Sequence, residues 1–233
     1  MIIKIDNTVI QQFPHTKIGL LFGKNVNNQH PSEEITKLLR DTEEKIKATI
    51  NLAELTSLPK ILDWREAYRS FGFKPSEYRS SIEALVRRIL QGKQLPTISP
   101  IVDLYNLISI KHMLPVGGGN LEKIKGSITL KIAQGTEKFI MLGSTTPEIV
   151  KAGEVVYSDD EEVLCRAWNY RESEKTKITE HIHHVYLVIE GLSHTTHEEL
   201  SNAIAELRSL LTTYTNGSFQ EFILDKDHPK IEI

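Results

Sequence analysis

The sequence predicts an α+β fold in one domain, with helices mainly in the first half packed on a strand-rich core. Three observations carry that expectation. Apolar residues recur at helical spacing through much of residues 32–112, the period shortens to two after Gly117, and no repeat, low-complexity run or linker divides the chain.

The chain opens with alternation that suggests short strands at 2–5 and 18–22, followed by a polar loop, NVNNQHPS, at 25–32. Ser32 is a natural N-cap for a long helix with Glu33 and Glu34 in its first turn and Ile35, Leu38, Leu39, Ile46 and Ile50 on one stripe. That helix is expected to end before Pro59. A second helix covers about 60–70 and stops at Gly72, and a third carries Ile82, Leu85, Val86, Ile89 and Leu90 to a stop at Gly92. Ser99-Pro100 opens a fourth, because proline is tolerated at the first helical position. Strands then follow at 127–132, 138–142, 154–158, 162–168 and 184–192. Thr196 and Glu199 form a capping box for a last helix, and a closing strand near 218–224 follows Asn216-Gly217.

Composition narrows the function classes. No apolar run approaches the roughly 20 residues a membrane helix needs, and MIIKIDNTVI lacks the flanks of a secretory signal. The single cysteine, Cys165, excludes an internal disulfide and fits a cytoplasmic protein. A net charge of −3 argues against a uniformly basic nucleic-acid binder, yet residues 60–93 hold eight Lys/Arg against four acids. That window, including Arg79, Arg87, Arg88 and Lys93, is a candidate phosphate-contacting face or a solvated helical surface.

The stretch HMLPVGGGN at 112–120 has neither glycine pattern of a phosphate cradle, and it follows a helix and precedes strands, so a plain turn is the default. His181, His183 and His184, with His194 and His197, lack the cysteines of a structural zinc site, so no metal and no cofactor are expected. There is no Gly-x-Ser-x-Gly elbow, and Cys165 in an apolar strand reads as a core thiol. The segment RAWNYRESEKTKIT at 166–179 gathers Asn169, Arg171, Glu172 and Thr176 around Trp168 and Tyr170, either a ligand-binding segment or a charged hairpin loop.

Residues 80–133, with Ser81-x-Glu83-Ala84-Leu85, Arg87-Arg88, VDLYN at 102–106 and LPVGGGNLEKIKG at 114–126, together with CRAWNYRES at 165–173 and Thr176, resemble the B3/B4 domain of the bacterial phenylalanyl-tRNA synthetase beta subunit in its free-standing form. The resemblance spans roughly 70–192, with 1–60 as flanking strands and helix and 61–233 as the B3/B4-like domain. It implies an editing site that hydrolyses the ester of a mischarged aminoacyl-tRNA. The synthetase's pocket histidine falls on Gly117 and its pocket glutamate on or beside Glu172.

On that basis the loop amides of Gly117, Gly118 and Gly119 are expected to receive the ester oxyanion. Glu172 is expected to bind the substrate's ammonium or hydroxyl, and Arg171 a phosphate or carboxylate. Pro115, Val116, Asn106, Asn169 and Thr176 complete the expected substrate site, and Arg79, Arg87, Arg88 and Lys93 the RNA face. Arg87 and Arg88 lie about 100° apart on a helix, so only one can point inward. A Gly118→Val change is expected to abolish turnover without unfolding the domain. The alternatives are an RNA-binding module without hydrolysis, and an amino-acid or small-molecule binder using the same pocket.

Overall fold

A computed structural model describes residues 1–29 and 32–233. Positions 30 and 31 of the expected polar loop lie outside the described residues.

The chain begins with β1 (Ile2–Ile5), a short helix α1 (Asn7–Gln12) and β2 (Lys17–Lys24). Four helices follow: α2 (Glu33–Thr49), α3 (Pro59–Ser70), α4 (Ser81–Leu90) and α5 (Pro100–His112). Then come β3 (Val116–Asn120), β4 (Ile128–Ile132), β5 (Lys138–Ile140), β6 (Pro147–Ile149), β7 (Val155–Ser158), β8 (Val163–Arg166), β9 (Arg171–Glu172) and β10 (His184–Gly191). The helix α6 (His197–Thr215) and the strands β11 (Ser218–Leu224) and β12 (Lys230–Glu232) close the fold. The α+β class, with most helices ahead of most strands, is as expected.

Helix boundaries follow their caps. Ser32 accepts a hydrogen bond from Ile35 N, Ser80 one from Glu83 N, and Thr196 with Glu199 forms the reciprocal box. Helix α2 ends well before Pro59, because Ile50 is extended and the Asn51 side chain accepts from Ala53 N, giving the backbone a local turn in place of another helical one. Helix α5 buries most of its circumference, with Ile101, Leu104, Ile108 and Ile110 all excluded from solvent. It packs against α2, α4 and α6.

The strands form two main sheets. One runs β12-β1-β4-β7-β8-β9, with β1 parallel to β4, and the other runs β11-β2-β10-β3 with every pairing antiparallel. A small β5-β6 hairpin bridges to β9, where Leu142 N donates to Glu172 O. Residues 1–60 are woven into both sheets: β1 lies beside β4, and β2 sits between β10 and β11.

The glycine stretch is not a turn. Val116–Asn120 is the edge strand of the second sheet, in register with β10 through Gly117↔Val188, Gly118↔Leu187 and Gly119↔Tyr186. A Cβ at Gly118 would sit 2.1 Å from the Tyr186 carbonyl oxygen, so β3 approaches β10 more closely than a side-chained residue allows. The expectation for Gly118→Val is therefore corrected, since that change disrupts the sheet itself. No helix among the described residues is long and apolar enough to cross a membrane.

Candidate functional site

The edge strand β3 and the β7-β8-β9 end of the other sheet enclose a cleft with two connected chambers. Glu172 links them, lining both, as do Ser81, Val116 and Asn169. A Cβ at Gly117 would lie 2.6 Å from Glu172 Oε1, so the missing side chain is what lets this carboxylate rest against the β3 backbone. Gly117 and Glu172 thus meet in the wall of one chamber.

The inner chamber has a volume of about 30 Å³, room for one or two water-sized groups. Glu190 projects into it from β10 while only 2% exposed. Its Oε1 accepts from Tyr157 Oη at 2.6 Å and Trp168 Nε1 at 2.8 Å, and its Oε2 from Asn169 Nδ2 at 2.8 Å. Tyr68 donates to Asn169 Oδ1 at 3.0 Å, which fixes the amide with its NH₂ toward Glu190.

The turn carrying these donors is strained. Ala167 and Trp168 both adopt left-handed backbone, with φ of 46° and 65°. It is held by Trp168 N donating to Val155 O, and by Trp64 and Phe13, whose rings meet the Trp168 indole edge-on at 5.1 Å and 4.9 Å.

No lysine or arginine lines the inner chamber. Burial raises the Glu190 carboxyl to about 7, against its three hydrogen-bond donors. Burial, reinforced by the nearby Glu190 charge, raises Glu172 to about 8. Burial likewise pushes the Cys165 thiol well up, so it is a neutral thiol wall and no nucleophile.

The outer chamber, about 450 Å³, is basic at its rim. Arg79, Arg88 and Arg171 line it beside Asn106 and Tyr105. Arg171 is exposed, with its guanidinium 4.4 Å from the Tyr170 ring centroid. Ser81 Oγ, at the start of α4, is buried without a hydrogen-bond partner among the described residues.

Most of the expected site residues converge here: Gly117, Gly118, Val116, Asn169 and Glu172 on the inner chamber, and Asn106, Arg171, Arg79 and Arg88 on the outer. The expected array of three glycine amides is corrected. Glu190 N donates to Pro115 O and Asn120 N to Thr176 O, so antiparallel alternation commits the main chain of Gly117 and Gly119 to β10. Gly118 turns its N–H outward, as a free-edge donor. Pro115 and Thr176 act as supports through those carbonyls, and Thr176 packs where a Gly119 side chain would stand.

The four basic residues expected to form an RNA face do not all reach the cleft. Arg87 turns inward, donating to the buried Glu83 at 3.1 Å, whereas Arg88 faces out. Lys93 is exposed but off the cleft. His181 and His183 precede β10, and no group of three or more metal-ligating side chains occurs among the described residues.

Sequence reasoning missed Glu190, Tyr157 and the role of Trp168. The available signal was one acid inside the otherwise apolar run HVYLVIEGL at 184–192. A buried strand carries a charge only where something answers it.

The protein-family comparison matches residues 63–215 to the family described as the B3/4 domain. The chain is 23% identical over 221 residues to the phenylalanine–tRNA ligase beta subunit of Fusobacterium nucleatum subsp. nucleatum, covering 85% of this chain and 26% of that protein. It is 29% identical over 82 residues to the beta subunit of the same ligase from Photorhabdus laumondii subsp. laumondii, covering 35% and 10%. Among solved structures, an N-terminal fragment of the phenylalanyl-tRNA synthetase beta subunit from Pyrococcus horikoshii aligns with a TM-score of 0.49 and 15% identity, over 95% of this chain and 53% of that one. The chain thus spans about a quarter or less of the length of the curated relatives it matches.

Proposed function

The chain belongs to the B3/4 domain family, and from that premise and the cleft we propose that it hydrolyses, in trans, the ester of a mischarged aminoacyl-tRNA in the cytoplasm. The observation that carries the reading is the pairing, on one hollow, of a carboxyl group (Glu172) with an outward-facing main-chain donor (Gly118 N–H), behind a rim of arginines.

An aminoacyl ester is already activated, so a catalyst needs chiefly to position a water, stabilise the developing oxyanion and exclude other side chains. The Gly118 N–H on the free edge of β3 is the donor available to the ester oxygen. Burial raises the Glu172 carboxyl to about 8, which favours its protonated form near neutrality. An entering α-ammonium favours the ionised form, so substrate binding would release that proton and form a charge-assisted pair. Arg79, Arg88 and Arg171 offer contacts for the phosphates of the tRNA end, with a steep salt dependence. Ser81 Oγ, without a hydrogen-bond partner among the described residues, is a candidate to hold the attacking water.

A panel of mischarged tRNAs incubated with the protein tests the reading. The expected result is release of at least one amino acid by the wild type and a loss of about 100-fold for Glu172→Ala. Intact esters across the whole panel, at a salt concentration where tRNA is bound, would instead leave a binding module without hydrolysis.

A further inference from the structure

The two chambers place two acids at different depths. Glu172 borders both, at the junction, whereas Glu190 borders only the inner one. No lysine or arginine accompanies them there. Removing carboxyl groups from water without a counter-ion is costly, and structural sites ordinarily supply one. The remaining walls are Tyr157, Trp168 and Tyr186, aromatic groups compatible with a cation, together with Val116 and Val188. Glu190 Oε2 receives a single hydrogen bond, from Asn169, and so keeps an unfilled acceptor position. The space available, about 30 Å³, takes a head group the size of a water or an ammonium and not a phenyl ring.

We infer that the cleft selects esters of short diamino acids, with the α-ammonium at Glu172 and the side-chain ammonium seated in the inner chamber against Glu190. Besides Glu190, the titratable groups lining that seat are Tyr157 from β7, Cys165 from β8, Glu172 from β9 and Tyr186 from β10, none of them cationic. A neutral or aromatic side chain would leave Glu190 desolvated and unanswered, and a ring would collide with its donor cage. An arginine or lysine side chain carries the right charge on a longer stem, for which an inner chamber of about 30 Å³ has little room.

The inference deepens the reading above and rests on it for the ester half of the substrate, but not for the amine half. The probes are amino-acid amides, which imitate the acyl half of the ester without an α-carboxylate: L-2,4-diaminobutyramide, its uncharged isostere L-norvalinamide, and L-tyrosinamide. Calorimetry on the wild-type protein at pH 7 is expected to give diaminobutyramide the tighter Kd over norvalinamide, by about tenfold or more, as a charge-assisted contact implies. Tyrosinamide is expected not to bind. Glu190→Gln, which keeps the volume and one acceptor oxygen, is expected to erase the preference, with circular dichroism as the check on folding. Equal affinity for the isosteres, or tighter binding of tyrosinamide, overturns the inference without any appeal to the variant. A diamine preference with no tRNA deacylation would uphold the ammonium seat and remove the hydrolase reading. Deacylation of neutral or aromatic esters with no diamine preference would do the reverse.

Discussion

Glu83 and Glu190 are both shut away from solvent, at 0% and 2% exposure, yet their surroundings differ in kind. Glu83, on α4, accepts two bonds from Arg65 Nη1 at 2.8 and 3.0 Å and one from Arg87 Nη2 at 3.1 Å, with Arg79 close by. Glu190 has only neutral donors around it and another acid for company. The first arrangement is closed and welds α3 to α4. The second is incomplete without something from outside, as expected of a site rather than a strut.

Removing the closed partner should do the most damage. Glu83→Ala leaves three arginines around an empty position and is expected to lower folding stability by about 3–5 kcal/mol in urea titrations. A loss below about 1 kcal/mol would show that Glu83 is no more structural than Glu190.

The glycines of β3 sharpen the contrast at finer scale. Gly118→Ala drives a Cβ into the Tyr186 backbone, and the expected loss is about 1–3 kcal/mol. Gly117→Ala meets only the movable end of Glu172, so stability should change by less than about 1 kcal/mol while deacylation falls by about 100-fold through the displaced carboxylate. Equal stability losses for the two would place both on the structural side.

The mildest probe is pH. Glu172 and Glu190 hold their protons in the folded state up to about 8 and about 7, above the usual carboxylate range. The folded chain therefore binds more protons than the unfolded one in between. This contribution to stability is complete below about pH 4.5 and is lost as pH rises through 7 and 8. Glu172→Gln should flatten that decline, and thermal melts at pH 6 and pH 8.5 measure it. An unchanged slope would mean the carboxyl group is solvated.

Much of the framework was legible because its signals are local. Ser32, Thr196 and Pro100 mark helix starts through their own chemistry, and the 100° step between Arg87 and Arg88 already required one inward and one outward side chain. The strand identity of Gly117–Gly119 was not legible, since three glycines specify no face and acquire one only from β10. Short β9 and β12 likewise exist through their neighbours. Glu172 and Gly117 came from a family resemblance, since no local pattern brings 117 and 172 together; both line the inner chamber. Glu190 was hidden by its apolar flanks, because the groups that answer it come from 157, 168 and 169, far away in sequence.

The place of β2 bears on how the protein is made. Its apolar stretch Ile18–Phe22 leaves the ribosome well before its partners, residues 184–191 and 218–224. At about 5–20 residues per second, translation leaves that segment without its neighbours for roughly ten to thirty seconds. A sticky ribbon waiting so long is a natural client for a chaperone, and slower elongation would lengthen its wait.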